Sequence, residues 1–179
     1  MKHINKILKL ESVDKVGIQN SKFKIVVDGI NSIGGVAIPK LLDSLNVEVV
    51  KINCNPNGNF AHDPEPLAEN LRELCDAVLE NNADLGIAVD PDVDRLVFVD
   101  EKGNLFSEEY TLVACADYIL SQQKGKTVSN LSSTRALSDV TKKYGESCFA
   151  SAVGELNVVK EMKKVSAIIG GEGNGGVIY

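Results

Sequence analysis

At 179 residues the chain has room for one large domain or two small ones, and a composition 44% hydrophobic and 25% charged supports packed cores and argues against disorder. A formal net charge of −6 argues against nucleic-acid partners and anionic membrane surfaces. With no apolar run near the roughly 20 residues that span a bilayer, and a start, Met1-Lys2-His3-Ile4-Asn5-Lys6, that is not read as a signal peptide, the expected setting is soluble and cytoplasmic.

The first 21 residues carry Ile4, Ile7, Leu8, Val13 and Ile18 among polar residues and predict a short helix and a linker. A layered α/β pattern then begins. Phe23–Val27 reads as a strand ending at Asp28, followed by the loop Gly29–Gly35 and a helix holding Ile38, Leu41, Leu42 and Leu45. That loop leads into a helix N-terminus, where phosphate can bind, but it lacks the lysine and hydroxyl residue of a nucleotide P-loop; a tight strand-to-helix turn is the first reading. Val47–Ile52 is the next strand. A polar loop from Asn53 to Pro66 leads to a helix carrying Leu67, Leu71, Leu74, Val78 and Leu79 as one apolar stripe. His62 in that loop is read as a loop-organising residue, and His3 as a surface residue. Leu85–Val89 is a buried strand, Leu96–Val99 a second, and Glu101–Asn104 the turn after it; this close-coupled pair predicts an antiparallel edge.

A second unit opens with a helix from Glu108 to about Ser121. It continues through a strand Thr127–Leu131, a helix Arg135–Tyr144, a short strand near Phe149, a helix Leu156–Lys164 and a strand Ala167–Ile169. A glycine-rich loop follows, and Val177-Ile178-Tyr179 starts an apolar run with no partner, so this unit reads as incomplete. The expected fold class is α/β, in two successive layered α/β units, each a mixed, mostly parallel sheet between helices. The expected domains are 1–21 as an N-terminal helix and linker, 22–106, and 107–179. Cys54, Cys75, Cys115 and Cys148 have no paired spacing for zinc or redox chemistry, and reduced thiols are expected.

The most informative stretch is Asp90-Pro91-Asp92-Val93-Asp94-Arg95, placed where a buried strand ends. The carboxyl end of a strand in an α/β sheet opens into the ligand crevice. Three carboxylates within five residues repel one another, and a hard divalent cation such as Mg²⁺ relieves that repulsion. Arg95 adds a planar, permanently charged fork suited to phosphate. A solvated acidic turn would explain the charges, but not their alternation with Pro91 and Val93 directly after a buried strand. An EF-hand calcium loop has Glu101 at the right twelfth position, but Arg95 stands where its glycine is needed and a strand follows. An aspartyl-phosphate phosphatase with Asp90 as nucleophile and Asp92 as acid/base stays open as an alternative.

The second concentrated signal is Gly170-Gly171-Glu172-Gly173-Asn174-Gly175-Gly176. Gly171, Gly173 and Gly176 satisfy the dinucleotide spacing, but a strand rather than a helix follows, which argues against that site. Glu172 can accept from two vicinal hydroxyls, and Asn174 can donate and accept. A hairpin turn needing positive φ at its glycines explains the loop equally well.

Taken together, the Asp90–Arg95 and Gly171–Gly175 stretches resemble the α-D-phosphohexomutase family, with support from 58–66, 69–71 and Val153-Gly154-Glu155. The resemblance runs from about Lys22 to the end and implies the family's second domain and most of its third. It implies that Asp90, Asp92 and Asp94 hold Mg²⁺, that Arg95 contacts the transferred phosphoryl group, and that Glu172 and Asn174 bind sugar hydroxyls of a hexose phosphate. The family usually has glycines where Pro91 and Val93 stand, often serine where Asn174 stands, and in some members histidine at Glu155. No Ser-His-Asn-type loop for the family's phosphoserine occurs here. The resemblance therefore implies a central fragment, inactive without the family's first and fourth domains as partners. A non-catalytic module binding metal or sugar phosphate is a third reading.

Overall fold

The computed structural model describes residues 2–179 and falls into two units, one formed by residues 2–93 and 97–105 and the other by 94–96 and 106–179. In the first, two short helices, α1 (Lys2–Ile7) and α2 (Lys15–Ser21), precede the α/β pattern. The Asp14 side chain accepts from the Gly17 N–H at 2.9 Å, capping the second of them.

The first sheet has strand order β2-β1-β3-β4-β5, from β1 (Lys24–Asp28), β2 (Glu48–Ile52), β3 (Leu85–Val89), β4 (Leu96–Asp100) and β5 (Leu105–Phe106). β1 runs parallel to both β2 and β3, with Val26 opposite Val50 and Gly86. Residues 90–95 connect β3 to β4, too short for a parallel crossover, so this edge turns antiparallel as expected. Alternation along the strands sends side chains to two faces. Val26, Ala88, Val97 and Val99 pack with Leu71, Leu74, Ala77 and Val78 of the α4 (Arg72–Glu80) region in one core cluster. Val89 points the other way, where the start of α3 (Gly34–Asp43) comes so close that a Cβ on Gly34 would lie 2.4 Å from its Cγ2.

The second sheet has order β7-β6-β8-β9, from β6 (Thr127–Asn130), β7 (Cys148–Ser151), β8 (Ile169–Gly171) and β9 (Val177–Ile178). β6 is parallel to β7 and β8, while β9 is antiparallel to β8, pairing Gly170 with Ile178 and Gly171 with Val177. The terminal apolar run thus has the partner that its sequence position did not reveal. On one face α5 (Glu108–Gln122) and α6 (Ala136–Lys143) bury Leu112, Val113, Ala116, Ile119 and Leu137 against Ile169. On the other, α7 (Glu155–Val165) brings Met162 against Gly170, where a Cβ would lie 2.7 Å from its sulfur. The molecule is α/β throughout, a sheet flanked by helices in each unit.

Several predicted elements moved. The α4 helix starts at Arg72, so Leu67 and Leu71 belong to the preceding loop; Leu71 is nevertheless fully buried, and Leu79, counted in the stripe, is exposed. β6 ends at Asn130, leaving Leu131 in the loop and exposed. β8 begins at Ile169 and takes in two glycines. Among the described residues no helix is long and apolar enough to cross a membrane. All four cysteines are free and half-buried, and burial pushes the Cys54, Cys75 and Cys115 thiols up, away from the reactive thiolate.

Candidate functional site

The aspartate stretch sits at the carboxyl end of β3. Asp90 is fully buried, while Asp92 and Asp94 are exposed. One carboxylate oxygen from each lies within 4.8 Å of the others. The chain doubles back between them: the Val93 N–H donates to the Asp90 carbonyl at 3.2 Å. Val93 has φ of +64°, a left-handed conformation that is an outlier for a β-branched side chain and costs about 1–3 kcal/mol. Three oxygen donors brought together on a strained loop fit a hard divalent cation in donor chemistry and in number, with water free to complete its shell. Arg95 follows, its Nε 3.6 Å from Asp94 Oδ1 and its side chain about one-third exposed. Its backbone forms an antiparallel bridge with Gly176, and the Leu96 N–H donates to the Gly175 carbonyl at 3.1 Å.

Around this loop the other strand end of the first unit is tightly organised. Asp28, buried at the end of β1, accepts the Ile30 N–H at 2.9 Å and the Asn53 side-chain amide at 3.3 Å. His62 holds the 53–66 loop to it: Nε2 lies 3.1 Å from Asp28 Oδ2 and Nδ1 2.8 Å from the Asp63 carbonyl. That is the loop-organising part expected of His62.

The glycine loop joins β8 to β9 as a hairpin, in which the Glu172 N–H donates to the Gly176 carbonyl at 3.0 Å; of its glycines Gly175 alone has positive φ, +94°, where the hairpin reading called for several. The same hairpin also lines a cavity of about 220 Å³, together with Glu109, Asn130, Ser132, Val153 and Gly154. Glu172 and Asn174 both face it. Glu172 Oε1 accepts from the Asn130 side-chain amide and, at 2.8 Å, from the Gly154 N–H. Asn130 is buried, and its Oδ1 accepts from the hydroxyls of Ser132 at 3.0 Å and Ser133 at 2.7 Å. Ser133 in turn accepts the Gly173 N–H at 2.8 Å. Glu109, from the first turn of α5, accepts the Thr134 N–H at 2.7 Å. No lysine or arginine lines the cavity, so it suits hydroxyl or ammonium donors rather than a bare phosphate.

Sequence reasoning found both loops but missed Asn130, Ser132, Ser133 and Glu109. A signal was available: Asn130-Leu131-Ser132-Ser133-Thr134 is a polar run directly after a buried strand, the position a crevice favours. Extending that strand through Leu131 concealed it.

Two family models match the chain. One, described as phosphoglucomutase/phosphomannomutase, alpha/beta/alpha domain II, covers residues 1–103, and the other, domain III of the same family, covers 107–179. A phosphoglucomutase/phosphomannomutase of Thermococcus kodakarensis is 37% identical over 93% of the chain, which spans 37% of that protein. A phosphoglucosamine mutase of Geotalea uraniireducens is 36% identical over 95% of the chain and 38% of its own length. Among solved structures, a phosphoglucomutase/phosphomannomutase family protein of Burkholderia thailandensis superimposes with a TM-score of 0.82 at 26% identity, over 92% of this chain and 38% of that one. The chain thus spans under two-fifths of the length of each of these relatives.

Proposed function

The chain belongs to the phosphoglucomutase/phosphomannomutase family, and from that premise we propose that it supplies the metal-holding and sugar-recognising parts of a Mg²⁺-dependent phosphohexomutase. The reaction is the movement of a phosphoryl group between C1 and C6 of a hexose phosphate, through a phosphoserine and a bisphosphorylated sugar. Asp90, Asp92 and Asp94 would hold Mg²⁺; once bound, the ion supplies neutralisation of the charge on a phosphoryl group in transfer. Arg95 offers its guanidinium fork to the phosphoryl oxygens and keeps them in line. With Oε1 of Glu172 held by Asn130 and Gly154, Oε2 accepts from a sugar hydroxyl. The Asn174 Oδ1 accepts the Gly176 N–H at 3.1 Å, which turns the amide nitrogen into the donor for a second hydroxyl.

The observation that supports this reading most is the gathering of three carboxylates within 4.8 Å at the end of β3, inside a stretch that the domain II model covers.

Mg²⁺ titration with a thermal-shift readout tests it, on this chain and on Asp92→Asn. Stabilisation of the parent that the variant loses is the expected result; equal response of both, or none, would sink the metal assignment. The 179 residues contain no Ser-His-Asn-type loop, so by themselves they should convert no glucose 1-phosphate to glucose 6-phosphate in a coupled assay. Turnover by this chain alone would refute the assignment of the phosphoserine to another part of the enzyme.

A further inference from the structure

The aspartate loop is fastened from outside itself. Ser32, in the loop between β1 and α3, donates its hydroxyl to the Pro91 carbonyl at 2.7 Å, across 59 residues of sequence. Pro91 stands between Asp90 and Asp92 and has no N–H, so its carbonyl is the one backbone hydrogen-bonding group that this residue offers. The plane of the Pro91–Asp92 peptide sets the direction in which Asp92 leaves the loop. Two residues on, Val93 is in the left-handed region, which a β-branched residue occupies only where its surroundings hold it.

Those surroundings include Ser32's own neighbours. A Cβ on Gly34 would meet Val89 Cγ2 at 2.4 Å and Val93 Cγ2 at 3.6 Å, and one on Gly35 would meet the Cys54 backbone at 2.5 Å. Packing this close fixes the residues after Ser32 against both the entry and the middle of the aspartate loop. The hydroxyl of Ser32 therefore reaches Pro91 from an anchored base.

We propose that Ser32 is a positioning residue for the divalent cation: its hydroxyl orients the Pro91 peptide and so keeps Asp90 and Asp92 converged before an ion arrives. This rests on reading Asp90, Asp92 and Asp94 as the metal ligands. Left to themselves, three like charges spread a loop apart, and an ion must then gather them. With the Ser32 bond in place that ordering is built into the fold. Hydrogen-bond partners that orient a ligand set are commonly worth 10- to 100-fold in metal affinity. Because Ser32 reaches one ligand pair through one peptide, the low end of that range is expected.

The test is Mg²⁺ binding by calorimetry, checked with Mn²⁺ by electron paramagnetic resonance, on the 179-residue chain and on Ser32→Ala, Ser32→Thr and Asp92→Asn. Ser32→Ala should bind roughly tenfold more weakly, with its metal-free melting temperature close to the parent's. Ser32→Thr, which keeps the hydroxyl, should restore affinity to within about twofold of the parent. Should Ser32→Ala fail to fold, Ser32→Cys, of similar volume but a weak donor, is read in its place. Equal affinity in the parent and in Ser32→Ala overturns the proposal. So does an equal loss in Ser32→Ala and Ser32→Thr, which would assign the effect to packing rather than to the hydroxyl. A parent that binds neither ion, or an Asp92→Asn variant that binds like the parent, overturns the metal reading first and the role of Ser32 with it.

Discussion

Thr141 donates its hydroxyl to the Leu137 carbonyl one turn back at 2.7 Å, so its 2.7 Å contact with the Thr127 hydroxyl has one direction: Thr127 donates and Thr141 accepts. Both residues are fully buried, and the two isosteric replacements are therefore unequal. Thr127→Val removes a donor and leaves Thr141 bonded to Leu137, a loss of about 0.5–1.5 kcal/mol. Thr141→Val strands a buried donor on Thr127 and should cost about 1–3 kcal/mol. Urea denaturation of the two variants side by side checks the order. Direction and distance of this kind are what a sequence does not hold. Asp90, Asp92, Asp94 and Arg95 were legible because they are neighbours in the chain. The residues that hold Glu172 stand 42 and 18 positions away, at Asn130 and Gly154, and only the fold brings them to its carboxylate.

Elements were most legible where one signal dominated. Leu85–Val89 is an unbroken apolar run and is a strand over those same residues. The α4 stripe overran because Leu71, fully buried from a loop, drops into the same core as the helix face and continues its spacing. β8 was misplaced because glycine counts against a strand, whereas here its absence of side chain is what the close approach of Met162 and the Val128 carbonyl demands. The C-cap of α7 gives a prediction on this scale. Ser166 ends that helix in the left-handed conformation, φ +56°, exposed to solvent. Glycine takes that conformation without the Cβ penalty, so Ser166→Gly should raise stability by about 0.5–1 kcal/mol, read from the chemical-denaturation midpoint. The β4–β5 turn gives another. Asp100 accepts from the Asn104 side chain and backbone and from the Lys102 N–H. These bonds, the Asn104 side chain foremost, hold its carboxyl below its ordinary value. A depressed carboxylate adds stability above its unfolded pKa, near pH 4, and loses it as pH falls through the folded value. Asp100→Asn should therefore lower the neutral end of a melting-temperature profile, leave its most acidic end in place, and so flatten the slope between them.

At the scale of the whole molecule the same plan is used twice. In each unit a parallel set of strands sends loops out from its carboxyl ends, where the crevice of an α/β sheet opens: 29–33 and 90–93 in the first, 131–135, 152–154 and 172–176 in the second. Each unit also has its own core, with Leu74 fully buried in the first and Leu137 nearly so in the second. Truncation of either to alanine should cost about 2–5 kcal/mol. The loss should register in amide exchange at β1 and β3 for Leu74→Ala and at β6 and β8 for Leu137→Ala. The layered class was legible because alternating strands and helices leave few other solutions. The pairing of β9 with β8 was not, since a two-residue strand carries too little pattern to announce its neighbour.

The crowding around the β8–β9 hairpin bears on how inherited variation in this stretch would be read. Any coding change at a glycine adds a Cβ, and at Gly170 and Gly171 that atom would lie 2.7 Å from the Val128 carbonyl and 2.1 Å from the Gly176 carbonyl. Variants there would vanish from a population or a saturation library because the protein fails to fold, whatever the hairpin binds. Asn174, at the exposed tip of the same hairpin, has no such obligation beyond its bond to Gly176. Intolerance at position 174 would therefore bear on the proposed sugar contact, and intolerance at 170 and 171 on the backbone, within one run of seven residues.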